Sequence, residues 1–108
     1  MNLTTMQFDV FPNPIVAARK AYPYGVALQS DFTRGEGDEI VAPIAPKESL
    51  LKFAGRLTPI VRIGSADYVV LVPALTSMKR RDLVKEVSSL SAARSQLLAA
   101  MDYLFFGV

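Results

Sequence analysis

The chain contains no cysteine and no histidine. Without cysteine there are no disulfides, no thiolate metal sites and no cysteine nucleophile, and the composition fits a reducing cytoplasm. Without histidine, the commonest general base and the commonest metal ligand are both missing. Any chemistry would fall to Asp, Glu, Lys, Arg, Tyr or Ser. A long apolar run is also lacking. Residues 97–108 are the greasiest stretch, but Asp102 interrupts them, and they fall short of the roughly 20 residues that span a bilayer. No membrane association is expected. The N-terminal MNLTTMQFDV has neither a basic nor an apolar leader region, which argues against a signal peptide. Charge of one sign is scarce as well. Twelve basic and ten acidic residues leave a formal +2, too little to imply nucleic acid.

What remains is the composition of a globular protein: 108 residues, 51% hydrophobic and 20% charged. One domain over residues 1–108 is expected, with residues 1–5 an extension and Met6 an alternative start. Residues 7–11 (QFDVF) alternate polar and apolar, the pattern of a half-buried strand. Pro12-Asn13-Pro14 stops it, and residues 15–23 read as a loop with one helical turn. Residues 24–29 (YGVALQ) form a second strand. A polar turn over residues 30–39 follows, in which Phe32 must pack on something. Residues 40–44 read as a short strand whose Pro43 places it at an edge or a bulge. Residues 47–57 suit either a helix or a strand pair.

The spans 59–63 (PIVRI) and 68–72 (YVVLV) are strands buried in places on both faces. A hairpin turn at Gly64-Ser65-Ala66-Asp67 joins them, and Pro73 ends the second. Residues 74–82 form a connector, and residues 83–87 a last short strand. The rest, residues 91–108, reads as one helix with Ser91 as its N-cap and Gly107 as its left-handed stop. Leu90, Leu97, Met101, Leu104 and Val108 form its apolar stripe. Together these elements predict an α+β domain, a small barrel-like antiparallel sheet followed by a C-terminal helix.

Motifs for chemistry are sparse. No Walker loop, dinucleotide fingerprint, nucleophile elbow or metal-ligand spacing occurs, so no cofactor and no metal are expected. Gly35-Glu36-Gly37 lacks the Lys-Ser/Thr of a phosphate loop. Lys79-Arg80-Arg81 reads as a solvated basic turn, and Asp38-Glu39 as surface acids. The terminus stands out more. Phe105-Phe106-Gly107-Val108 is either a folded-back helix stop or a contact surface. Adjacent rings lie roughly 100° apart on a helix, so one can join the core while the other points elsewhere.

Met6-Gln7-Phe8-Asp9-Val10, Gln29-Ser30-Asp31, Val41-Ala42-Pro43-Ile44, Pro59-Ile60-Val61-Arg62-Ile63-Gly64, Leu90-Ser91 and Leu104-Phe105-Phe106-Gly107-Val108 occur in that order. In this the chain resembles the CcdB toxins of bacterial toxin–antitoxin modules, from Met6 to Val108. The resemblance implies a homodimer of SH3-like barrels, each with a small sheet wing and a long C-terminal helix. It implies a non-catalytic toxin that binds the A subunit of DNA gyrase and traps the enzyme's cleaved-DNA complex. It further implies neutralisation by a CcdA-like antitoxin, and contact with operator DNA only through the toxin–antitoxin pair.

Carried over position by position, the resemblance assigns the gyrase contact to Phe106, Gly107 and Val108, with Phe32 and Thr33 contributing from a loop. Leu104 and Phe105 fall to the packed side of the helix. Departures occur within that set. Phe106 stands where one family member has Trp, Phe32 and Thr33 stand where that member has two isoleucines, and Asp102 stands where it has asparagine. Asp102 therefore joins the gyrase-binding candidates as the residue able to repel or select a partner. Two other readings compete. Residues 76–90 (TSMKRRDLVKEVSSL), leading into a helix, look similar to the MazF/Kid ribonuclease toxins, although the Gly-x-Arg-Pro turn of that family is missing. The third reading is an inactive relative kept as a binding or regulatory module.

Overall fold

The computed structural model describes residues 5–33, 37–49 and 55–107. Among these described residues, seven strands, β1 (Asp9–Pro12), β2 (Tyr24–Ala27), β3 (Asp38–Pro46), β4 (Ile60–Ile63), β5 (Ala66–Val70), β6 (Thr76–Lys79) and β7 (Ser88–Ser89), precede one helix, α1 (Arg94–Phe106). All pairings are antiparallel. The sheet runs β4-β5-β3-β2-β1-β7, with β6 on β3 as a branch. The result is a nearly closed barrel-like sheet with a C-terminal helix, the α+β architecture the sequence predicts. Between its two ends, β4 and β7, lies a groove lined by Ile60, Val61, Ser89, Leu90 and Gln96.

The branch explains β3. One side of this strand pairs with β2, while the other serves β6 over residues 38–41 and then β5 over residues 44–46. Pro43 sits in the gap between those two neighbours. Its carbonyl, which accepts from the Leu71 N–H at 2.9 Å, faces that gap, and in a strand the imino nitrogen faces the same way. The missing N–H therefore interrupts no ladder bond. So the expectation of a short strand placed by Pro43 at an edge or a bulge is corrected in its length and its edge position. The proline marks a change of partner within a central, nine-residue strand.

Because side chains alternate across a strand, neighbouring residues feed different cores. Phe8, Val10, Val26, Leu28, Ala42, Ile44, Val61, Ile63, Val70 and Val72 close on Leu90, Leu97 and Ala100 inside the barrel. Phe11, Ala27, Val41 and Leu83, with Met78 beside them, fill a second cluster on the opposite face. Each large aliphatic or aromatic side chain so buried contributes about 1.5–3 kcal/mol. Residues 8–11 are thus buried throughout, not half-buried, because the segment separates two cores. Phe8 takes φ 73 there, a left-handed conformation uncommon for a bulky residue. Its N–H donates to Ala27 and its carbonyl accepts from Leu90.

Other boundaries shift. The expected turn at residues 15–23 contains a 3-10 turn, Val16–Ala18. Residues 47–57 begin with a 3-10 turn, Lys47–Ser49, and end at the Gly55–Thr58 bridge; residues 50–54 lie outside the described residues. The β4–β5 hairpin pairs Ile63 with Ala66, so its loop is only Gly64-Ser65, with Gly64 at φ 63. Residues 74–82 are not a connector but carry β6, and the last strand is Ser88–Ser89 in place of residues 83–87. Lys85, at φ 60, turns the chain in between. Ser91 does not cap α1. A 3-10 turn, Ser91–Ala93, precedes the helix, and the hydroxyl of Ser89 accepts from the Ser91 N–H at 3.2 Å. Thr5, expected in a dispensable extension, is buried.

No helix among the described residues is long and apolar enough to cross a membrane.

Candidate functional site

Helix α1 is anchored on one face and bare on the rest. Leu97 and Ala100 are fully buried, and Leu98, Met101 and Leu104 pack against the main core. That is the predicted stripe as far as Leu104, widened by Leu98 and Ala100, which the apolar spacing alone did not mark. At the end of the helix Gly107 adopts φ 73, ψ 18 and donates its N–H to the Tyr103 carbonyl at 3.0 Å. A residue with no Cβ takes this left-handed stop without steric cost.

The last turn leaves both phenylalanines in the open. Phe105 is 62% exposed and Phe106 76%. Phe106 was expected outside; Phe105 was assigned to the packed side, and that assignment is corrected. Met101 and Leu104, both partly buried, are the side chains of these turns that pack on the core. Asp102 is exposed on the same turns. Val108 lies outside the described residues. Beside this end, the Arg56 guanidinium sits 3.9 Å from the centroid of the Tyr103 ring.

The second predicted part is the loop after β2. Phe32 is 100% exposed and Thr33 is exposed. The expectation that Phe32 must pack on something fails within a single chain, since a fully exposed ring touches no other part of it. Backbone and polar bonds give the loop its form instead. Phe32 N–H donates to the Ser30 hydroxyl at 3.1 Å, and Thr33 N–H to the Ser30 carbonyl at 3.1 Å. Gln29 spans the loop, its Nε2 donating to the Thr33 carbonyl at 2.7 Å and its Oε1 accepting from Ile40 N–H at 3.2 Å.

The structure does not merge the two parts into one contact. The loop is tied to the first turn of α1, through Asp31, Gln7 and Arg94, whereas the phenylalanines stand on the last turn. Phe106 lies twelve helical steps beyond Arg94, roughly 18 Å along the axis. Gln7 and Arg94 were not singled out by the sequence reading. The available signal was a lone glutamine in a segment otherwise buried, since a polar side chain in such a place requires partners.

Elsewhere two acids approach each other. The carboxyl of Glu86 is held above its ordinary value, first by desolvation and then by the neighbouring carboxylate of Asp9, to which it hydrogen-bonds. Asp9 is buried, and its Oδ2 accepts the Met6 N–H at 2.9 Å. Glu39 is likewise no surface acid. It is fully buried, with Arg80 Nε 3.9 Å from its Oε1, while Asp38 pairs with Lys79 at 3.4 Å. Two of the three residues of the basic cluster therefore serve β3. Among the described residues no group of three or more acids could hold a metal ion.

The arrangement is a display of exposed apolar rings, Phe105 and Phe106 on the last helical turn and Phe32 on its loop. A family model described as "CcdB protein" matches residues 7–107. That span is nearly the whole chain, and the chain belongs to the CcdB family, toxins of toxin–antitoxin systems.

Proposed function

Starting from that membership, we propose that this toxin acts by protein contact on the A subunit of DNA gyrase, trapping the enzyme's cleaved-DNA complex without catalysing a reaction itself. The observation that carries the reading is the pair of exposed rings, Phe105 and Phe106, at the end of an otherwise anchored helix. Isolated apolar residues on a surface are ordinary, but two adjacent large rings beside a left-handed glycine form a rigid tip. Aromatic anchors of this type dominate many interfaces. A ring held in the open can also stack on a guanidinium across an interface, for roughly 0.5–2 kcal/mol.

Phe106, Gly107 and Val108 form the proposed core of the contact, with Phe105 added because it shares the exposure. Phe32 and Thr33 offer a second point of contact from their loop, and Asp102 tunes which surface is accepted. Two copies of the chain make the working unit. A CcdA-like antitoxin neutralises the dimer, and operator DNA is met only through that complex, in the cytoplasm.

The test compares the full chain with one ending at Leu104, each assayed for gyrase-dependent DNA cleavage and for RNA cleavage. The full chain is expected to arrest growth and trap cleaved DNA, and the truncated chain to do neither. Equal arrest by both, with intact DNA and cut RNA, would favour a ribonuclease of the MazF/Kid type.

A further inference from the structure

We infer that Asp31, Gln7 and Arg94 are positioning residues. As a three-member tether they set the Phe32–Thr33 loop against helix α1, so that it meets a partner already ordered. The inference rests on the proposed gyrase contact for its functional half and on the isolated chain for its structural half.

Gln7 is the node. Its backbone N–H donates to Asp31 Oδ1 at 2.9 Å, at the start of the loop. Its side-chain Nε2 donates to the Leu28 carbonyl at 2.9 Å, at the exit of β2. Its Oε1 accepts from Arg94 Nη1 at 3.2 Å, in the first turn of α1. Both ends of one amide are therefore used, and the residue next in sequence is locked too. Phe8 is buried at a left-handed φ, and the Arg94 guanidinium lies 5.8 Å from its ring centroid. The node cannot drift, because the chain on its C-terminal side is built into the barrel core.

The loop needs such a device. Phe32 is fully exposed and gains no packing, so polar bonds alone hold its backbone. A flexible loop must be ordered on docking, and that lost freedom weakens binding. A loop ordered beforehand avoids that loss. The tether also fixes where the loop stands relative to the rigid helix that carries Phe106, which sets the spacing of the two proposed contact points.

The test uses the full chain and three variants: Asp31→Ala, Asp31→Asn and Arg94→Ala. In the isolated protein, 15N relaxation should give Phe32 and Thr33 amide order parameters near 0.85 for the unaltered chain, and below about 0.6 for Asp31→Ala. Asp31→Asn keeps an Oδ1 acceptor and should recover the order. Binding to a gyrase A-subunit fragment should weaken about tenfold in Asp31→Ala, and less in Arg94→Ala. Asp31→Asn should restore most of the loss. Unchanged loop order in Asp31→Ala overturns the tether. An Asp31→Asn variant as weak as Asp31→Ala also overturns it, since the carboxylate charge would then be the contact. If the unaltered chain fails to bind gyrase, the proposed function falls, while the relaxation data still judge the tether.

Discussion

The Gly107 N–H donates to the Tyr103 carbonyl at 3.0 Å, and that single bond ends α1 with Phe105 and Phe106 still inside its last turn. Gly107 itself sits at φ 73, where the chain leaves the helix, and a Cβ built there would meet nothing within 4 Å. The position is thus conformationally restricted but sterically open. Gly107→Ala should cost about 1 kcal/mol of left-handed strain with no clash. Thermal unfolding should drop by only a few degrees, while fraying of the last turn, read by amide exchange at Phe105 and Phe106, should rise more clearly.

Arg56 provides the other restraint on this end, stacked 3.9 Å from the Tyr103 ring centroid. Both partners are partly in water, so Arg56→Ala should destabilise by about 0.5–1 kcal/mol. Tyr103→Leu should lose a similar amount, and the double variant no more than either alone. Coupling below about 0.3 kcal/mol in that double-mutant cycle would show that the stacking contributes nothing.

Gly25 is a packing requirement of a different kind. Its Cβ would lie 2.8 Å from Val41 Cγ1, in a register where Val26 pairs with Ala42 and Ala27 with Val41. Val41 is buried and β-branched, so it has little room to turn away. Gly25→Ala should destabilise by about 1–3 kcal/mol through overpacking. Adding Val41→Ala should return part of that loss, measured by denaturant midpoint. If the second change deepens the loss by its full single-site cost, the clash is not the cause.

The raised carboxyl of Glu86 gives a pH dependence with a definite sign. A raised acid is favoured in its protonated form by the folded state. Its contribution is therefore full below the ordinary glutamate range and is lost as pH rises through the folded value. Desolvation first, and then the neighbouring Asp9 carboxyl, disfavour the charged form of Glu86 in the fold. Glu86→Gln should stabilise the fold by a few tenths of a kcal/mol at pH 7, a small gain because the side chain is largely exposed. The gain should vanish below about pH 4. Equal stabilisation at both ends of that range would exclude the Asp9 pair as its origin.

The barrel strands and the helix were legible in the sequence because burial leaves a periodic trace. Residues 59–63 and 68–72 announce β4 and β5 through aliphatic runs, and Leu90, Leu97, Met101 and Leu104 announce the helix stripe. β6 leaves no such trace, since only Met78 of Thr76–Lys79 turns inward and the other three side chains are exposed. Pro43 misled for a local reason, because a proline excludes one ladder bond and β3 changes partners at that very bond. The aromatic tip could be found from its residue types, but not its split between core and surface. Which of the neighbouring side chains of the last turns packs on the core is settled by the fit of Met101 and Leu104 against it, which is a matter of packing volume. The Asp31–Gln7–Arg94 tether joins residues 24 and 87 positions apart, and no local pattern carries such a distance.

Separation of stability from binding is the strongest expectation for the tip itself. Phe106 is 76% exposed and Phe105 62%, so truncating either removes little buried area. Phe106→Ala and Phe105→Ala should each shift unfolding by within about 0.5 kcal/mol. Leu97→Ala, on the buried face of the same helix, should cost about 2–5 kcal/mol. Binding should rank the other way. A central aromatic anchor lost from an interface removes 2 kcal/mol or more, roughly thirtyfold in affinity, so Phe106→Ala should abolish trapping of cleaved DNA at ordinary protein concentrations. Phe105→Ala should weaken it less if one ring leads. Paired calorimetry and gyrase-fragment titration on the three variants would check the ranking. A Phe106→Ala chain that unfolds as the unaltered chain does and still binds with undiminished affinity would remove the tip from the contact. The frame of the proposed function would then rest on the Phe32–Thr33 loop alone.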